Sequence, residues 1–102
     1  MKIMISQPMR DRSKEEIIKD RENLVKIFQE KGYEIINTVF NYTFVGGNVP
    51  VKFLARAIDK LADADEVCFM NGWDKARGCK IEHQICKEYG IKISYEKDYI
   101  NE

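Results

Sequence analysis

The side chains able to do chemistry fall in three short stretches. In Gly78-Cys79-Lys80-Ile81-Glu82 a carboxylate follows a glycine by four residues, and on a helix that begins near Arg77 the glutamate shares a side with Gly78 and Cys79. A carboxylate so placed could stabilise, or attack, the oxocarbenium-like carbon that forms when a glycosidic bond breaks, while the glycine lets a ligand approach the backbone. The spacing also fits a solvated Glu82 facing Lys75, Lys80 or Lys87. The other two stretches are Ser6-Gln7-Pro8-Met9-Arg10-Asp11-Arg12 and Asn71-Gly72-Trp73-Asp74-Lys75-Ala76-Arg77-Gly78, which hold polar, charged and glycine residues where nothing apolar is being buried. Arg10, Arg12 and Arg77 could hold a phosphate, aided by free N–H groups at two helix starts, and they also read as plain surface charge. Trp73 and Tyr42 suit stacking against a base, although a lone tryptophan also caps cores.

His83 has Cys79 four residues before it and Cys86 three after, but a structural metal site draws four ligands, usually from separate elements, and no second cluster completes the set. No metal is expected. Cys68 and Cys86 read as small core residues, and three cysteines in all argue against a disulfide framework. The chain has no Walker lysine motif, no Gly-x-Gly-x-x-Gly and no Gly-x-Ser-x-Gly. ATP hydrolysis, dinucleotide binding and serine esterase chemistry lose support, and no cofactor is expected.

The elements that must position these residues follow from apolar spacing and capping chemistry. Ile3-Met4-Ile5 reads as a buried strand stopped by Pro8. Ser13-Lys-Glu-Glu16 matches a capping box, and the apolar residues after it recur at helical spacing until Gly32. A second strand is expected over 33–37, a second helix over 51–64, a third strand over 66–70, a third helix from Lys75 or Arg77 to Tyr89, and a fourth strand over 91–95. Residues 38–50, with Phe40, Tyr42 and Phe44, fit an extra strand, a flap or a subunit contact, and the polar tail from Glu96 is unassigned.

Strands alternating with helices imply an α/β domain: a small doubly wound, Rossmann-like three-layer sandwich with a mostly parallel sheet of four or five strands. Residues 1–102 form one domain, with no repeat or linker. For strand order 2-1-3-4 the ligand crevice opens beyond the carboxyl ends of the first and third strands, where the two odd loops lie. With 17 basic and 17 acidic residues and a pI near 6.6, the chain has no field to gather a nucleic acid polymer or an anionic membrane. No apolar run spans a bilayer and Met1 to Ile5 is too short for a signal peptide, so a cytoplasmic protein is expected.

Met-Ile-Ser-Gln-Pro-Met at 4–9, Ala-Asp-Ala-Asp-Glu-Val at 62–67 leading into a strand, and Gly78-x-x-x-Glu82 on the next helix together resemble the nucleoside 2-deoxyribosyltransferase superfamily. Within it the chain is most similar to the short phage and prophage branch, related to nucleotide N-glycosidases, over residues 2 to about 95. The resemblance implies that Glu82 is the nucleophile on the anomeric carbon, that Asp65 helps arrange the sugar site, and that the loop with Ser6, Gln7, Pro8, Met9 and Arg10 holds sugar and phosphate. Trp73, Asp74, Arg77 and Gly78 then complete the ligand site, and a homodimer or higher homo-oligomer is implied. Transferases acting on free nucleosides carry an aspartate six residues before the glutamate, where this chain has Ala76. Together with Arg10 and Arg77, that departure favours a phosphorylated ligand. The function expected is nucleotide binding with N-glycosidase or deoxyribosyltransferase-type chemistry on a nucleoside monophosphate. The alternatives are a phage-type protein that sequesters a nucleotide immune signal, such as a cyclic ADP-ribose-like molecule or a cyclic dinucleotide, and a subunit-interaction module with a vestigial site.

Overall fold

A computed structural model describes residues 1–39 and 44–100. Along the chain run β1 (Lys2–Ser6), α1 (Lys14–Glu30), β2 (Glu34–Ile36), α2 (Val49–Leu61), β3 (Glu66–Phe69), α3 (Arg77–Tyr89), β4 (Lys92–Tyr95) and a single turn of helix, α4 (Glu96–Tyr99). The four strands form one all-parallel sheet in the order β2-β1-β3-β4, as the sequence predicts for a doubly wound α/β domain. Register is tight across the centre, where Ile3, Met4, Ile5 and Ser6 pair with Glu66, Val67, Cys68 and Phe69.

Period-two alternation divides the core into two layers. Ile3 and Ile5 of β1 and Cys68 of β3 pack against Leu24 and Phe28 of α1. Met4, Val67 and Phe69 point the other way, onto Leu61 of α2 and Cys79 and Cys86 of α3. α4 returns to the first face, where Tyr99 meets Phe28 edge-on at 4.8 Å. Among the described residues no helix is long and apolar enough to cross a membrane.

Local chemistry fixes the helix ends. Ser13 Oγ accepts from Glu16 N and Glu16 Oε1 accepts from Ser13 N, each at 3.1 Å, closing the expected capping box. Gly32, at φ +77°, lets its own N–H reach Gln29 O while Tyr33 N–H reaches Phe28 O, and the two rings stack at 5.7 Å. α2 starts two residues before the expected Val51 because Asn48 Oδ1 caps Val51 N at 3.2 Å and Pro50 suits the first turn. It also stops earlier, at Leu61, as Asp63 and Ala64 turn their N–H groups back onto Lys60 and Leu61. In the unassigned segment, Thr38 is buried and Phe44 packs edge-on against Phe53 at 4.9 Å. Phe40 and Tyr42 lie outside the described residues.

The tail is tied down by a buried carboxylate. Glu66 has no exposed surface, and its Oε2 accepts from Ser94 Oγ at 2.6 Å and Tyr99 OH at 2.5 Å. Lys92 Nζ lies 3.2 Å from Oε1 as a charge partner, without hydrogen-bond geometry. Burial by itself would raise the Glu66 pKa, but the Ser94 and Tyr99 hydroxyls and the Lys92 charge outweigh it and hold the carboxyl below its ordinary value. A carboxyl lowered by folding adds stability above its unfolded pKa, and that stability is lost as pH falls through the folded one. Tyr99→Phe is therefore expected to cost about 1–2 kcal/mol at neutral pH, seen as a lower urea midpoint. The gap from the parent should narrow as the medium is acidified below the ordinary glutamate value of 4.5.

Candidate functional site

The pleat of β1 determines which side chain reaches α3. Ser6, its last residue, belongs to the same set as Met4 and so faces the α2–α3 layer. On α3 the inward positions are Cys79, Glu82 and Cys86, three and four residues apart, which puts a carboxylate in an otherwise apolar stripe. The solvated alternative for Glu82 is thereby overturned: the residue is 6% exposed and forms no ion pair among the described residues.

Ser6 Oγ donates to Glu82 Oε1 at 2.6 Å, the length of a hydroxyl bonded to a charged oxygen. Among the described residues the other oxygen, Oε2, bonds to no other group, and it keeps contact with solvent. Burial raises the Glu82 pKa and the Ser6 hydroxyl partly restores it. The result is a carboxylate fixed at one oxygen, open at the other and more basic than usual, at the carboxyl end of a central parallel strand. Such a group can act as a nucleophile or accept a proton. Its neighbours do not compete, since burial lifts the thiols of Cys79 and Cys86 to about 11 and keeps them protonated at neutral pH.

The remaining expected residues divide between the two faces of the sheet. Gln7 is buried on the α1 side, where its Nε2 donates to Ile17 O at 2.9 Å and its Oε1 accepts from Arg21 Nε at 2.8 Å, so it braces the loop. Beyond it, Gln7, Pro8, Arg10, Asn71 and Glu96 line an open cavity of about 380 Å³, with Arg10 exposed at its edge. Met9 is half-buried, and its carbonyl accepts from Arg12 N at 3.2 Å. Arg12 is already engaged, with Nη2 2.5 Å from Asp20 Oδ2 and Nη1 3.2 Å from Glu16 Oε2. Glu82 does not line this cavity. The cavity opens between the two loops that the strand order selects, lined by Gln7, Pro8 and Arg10 from one and Met70 and Asn71 from the other, while Ser6 and Gln7 point to opposite sides of the sheet.

Trp73 lies in a short 3-10 turn and stacks on His83 at 4.0 Å, and His83 Nε2 is 2.9 Å from Tyr95 OH. His83 therefore belongs to an aromatic group with Trp73, Tyr95 and Phe69, while Cys79 and Cys86 face the core. Among the described residues no three of His, Cys, Asp and Glu stand close enough to hold a metal ion. Asp74 and Arg77 are exposed, Arg77 opening α3 behind Ala76, which offers the helix no side-chain cap. Gly78 has room for a side chain, since an added Cβ would meet only Leu54 Cδ1 at 3.8 Å.

Asp65 is not brought to the site. Its Oδ2 accepts from Lys2 N at 2.7 Å at the amino end of β1, four residues from Ser6 and so about 13 Å along the strand. Sequence reasoning also passed over Arg21 and Glu66, both buried. For Arg21 the signal is its place between Ile17 and Leu24 in the buried stripe of α1.

Residues 1–95 match the model of a family described as Domain of unknown function (DUF4406). No curated protein and no solved structure matches the chain.

A carboxyl whose pKa folding raises weighs against stability above the folded value, and that burden lifts as pH falls and the group protonates. Glu82→Gln keeps the acceptor for Ser6 and removes the charge. The variant is expected to melt above the parent near pH 8, with the difference shrinking toward 4.5, the ordinary glutamate value, in thermal unfolding followed by circular dichroism.

Proposed function

The chain belongs to the DUF4406 family, and from the geometry of Ser6 and Glu82 we propose that it is a nucleotide-binding protein with N-glycosidase or 2-deoxyribosyltransferase-type chemistry. The substrate is a nucleoside monophosphate or a related nucleotide. The observation that carries this reading is the divided Glu82 carboxylate, with Oε1 held by Ser6 and Oε2 open. Oε2 attacks the anomeric carbon, the carbon–nitrogen bond breaks with its electron pair going to the base, and the base leaves after taking a proton from solvent. Water then hydrolyses the glycosyl ester, or a second base displaces Glu82. Ser6 orients the carboxylate, and as charge passes from Oε2 into the new bond the hydroxyl stays on Oε1.

Arg10 at the cavity rim and Arg77 at the uncapped start of α3 supply charge for the phosphate. Trp73, half-buried and stacked on His83, supplies the aromatic surface for a base. Assembly into a homodimer or larger oligomer belongs to the same reading, with the exposed Val45 and Val51 available as contact surface.

A second reading is favoured by one observation: the 380 Å³ cavity that contains Arg10 excludes Glu82. A nucleotide held there would be bound without being turned over, and the protein would sequester a nucleotide signal.

Incubation with mixed nucleosides, nucleoside monophosphates and cyclic nucleotides, followed by mass spectrometry of free and protein-bound fractions, separates the two. Glycosidase chemistry is expected to release a free base, with the rate falling about a thousandfold or more in Glu82→Gln while the ligand still binds. Recovery of an intact nucleotide only after denaturing the protein, unaffected by that substitution, supports sequestration instead. In either case Arg10→Ala should weaken binding about tenfold or more if a phosphate is held there.

A further inference from the structure

A second charged side chain is buried in a helix stripe, on the opposite face of the sheet from Glu82. Arg21 is 5% exposed, and its acceptors among the described residues are neutral: Gln7 Oε1 at 2.8 Å from Nε, with Thr38 Oγ1 at 3.1 Å and Ile5 O at a long 3.5 Å from Nη2. Among the described residues no carboxylate pairs with it, and burial pulls its pKa down to about 10, so it remains charged at neutral pH. Neutral acceptors satisfy donors but leave a desolvated charge unbalanced, and buried charges are ordinarily paired.

The third nitrogen shows where the balance can come from. Among the described residues Nη1 has no partner, and it is not sealed from solvent. Arg21 lines an open groove of about 430 Å³ between α1 and β2. Asn37 gives its lining a polar edge and Ile18, Val25 and Ile35 an apolar wall, and among the described residues no acidic side chain lines it. The cavity near Arg10 differs, because Asp20 and Glu96 share its lining with the arginines.

We infer that the groove between α1 and β2 binds a small amphipathic oxyanion, a carboxylate or phosphate monoester on an apolar body, with its charge on Arg21 Nη1 and its body against Ile18, Val25 and Ile35. This site is independent of the reaction assigned to Glu82. Charge and apolar contact are both required, so neither inorganic phosphate nor an uncharged aromatic alcohol alone fills it.

The test uses the full chain, isotopically labelled, titrated at constant ionic strength with phenyl phosphate, benzoate, inorganic phosphate and benzyl alcohol while backbone amide and Arg21 Nε–H resonances are followed. Saturable shifts are expected with phenyl phosphate or benzoate, confined to residues 14–29 and 35–39 and including Arg21 Nε–H, and the stronger of the two identifies the anion. Arg21→Met should weaken that binding about tenfold or more. Because that variant also cuts the bonds to Gln7 and Thr38, Asn37→Asp serves as a second, with an acceptor retained for Val39 N and a fixed negative charge placed in the groove. It should fold, melt above the parent, and lose binding to a similar degree. The site is overturned if no probe gives saturable shifts there, if shifts fall on residues 6–12 and 70–78 instead, or if Asn37→Asp binds as tightly as the parent.

Discussion

The alternation of side chains along β1 is the constraint on which the rest of the molecule depends. β1 is flanked on both sides, by β2 and β3, so each of its residues must satisfy one helix layer or the other. Ile3 and Ile5 serve α1, and Met4 serves α2 and α3. At the carboxyl end the same rule sends two polar side chains in opposite directions, Ser6 to Glu82 of α3 and Gln7 to Ile17 and Arg21 of α1. A one-residue slip in register would exchange them and leave both helices with an unmatched buried charge.

Two charges buried in helix stripes are an unusual load for a chain of 102 residues. They are handled differently. Glu82 is half-satisfied, with one oxygen bonded and one open, and its burial raises its pKa. Arg21 fastens the chain on both sides of Ser6 through Ile5 O and Gln7, which holds the loop beyond β1 in place. The rigidity of Ser6 thus has a source on the far side of the sheet from the carboxylate it orients.

Glu66 shows the contrasting case of a buried carboxylate with two hydroxyl donors on one oxygen and a cation beside the other. Its two hydroxyl donors and one cationic neighbour come from β4 and α4, so it fastens the tail over the α1 face. From there Glu96 accepts from Asn71 N at 2.9 Å, and the loop after β3 is held by the tail. The lowered pKa of Glu66 and the raised pKa of Glu82 follow from this difference in donors, since both are buried.

The α/β alternation, the capping box at Ser13, the glycine stops at Gly32 and Gly90 and the four strands are all local signals, set by periodicity and by backbone chemistry within a few residues, and the sequence by itself determined them. Asn48 was a local signal too, hidden inside a Gly-Gly-Asn string that reads first as a turn. The site was legible only in part. Ser6 and Glu82 stand out as residue types in suggestive places, but whether Glu82 faces water or core depends on which side of α3 meets the sheet, and one helix cannot fix that. Asp65 shows the reverse limit: its neighbours in sequence suggest a site residue, yet β3 begins where β1 begins, so parallel pairing carries it to the wrong end. The tertiary structure alone decided that Ser6 meets Glu82 across 76 positions of chain and that Arg21 finds no acid among the described residues, because both outcomes depend on which surfaces the packed layers bring together.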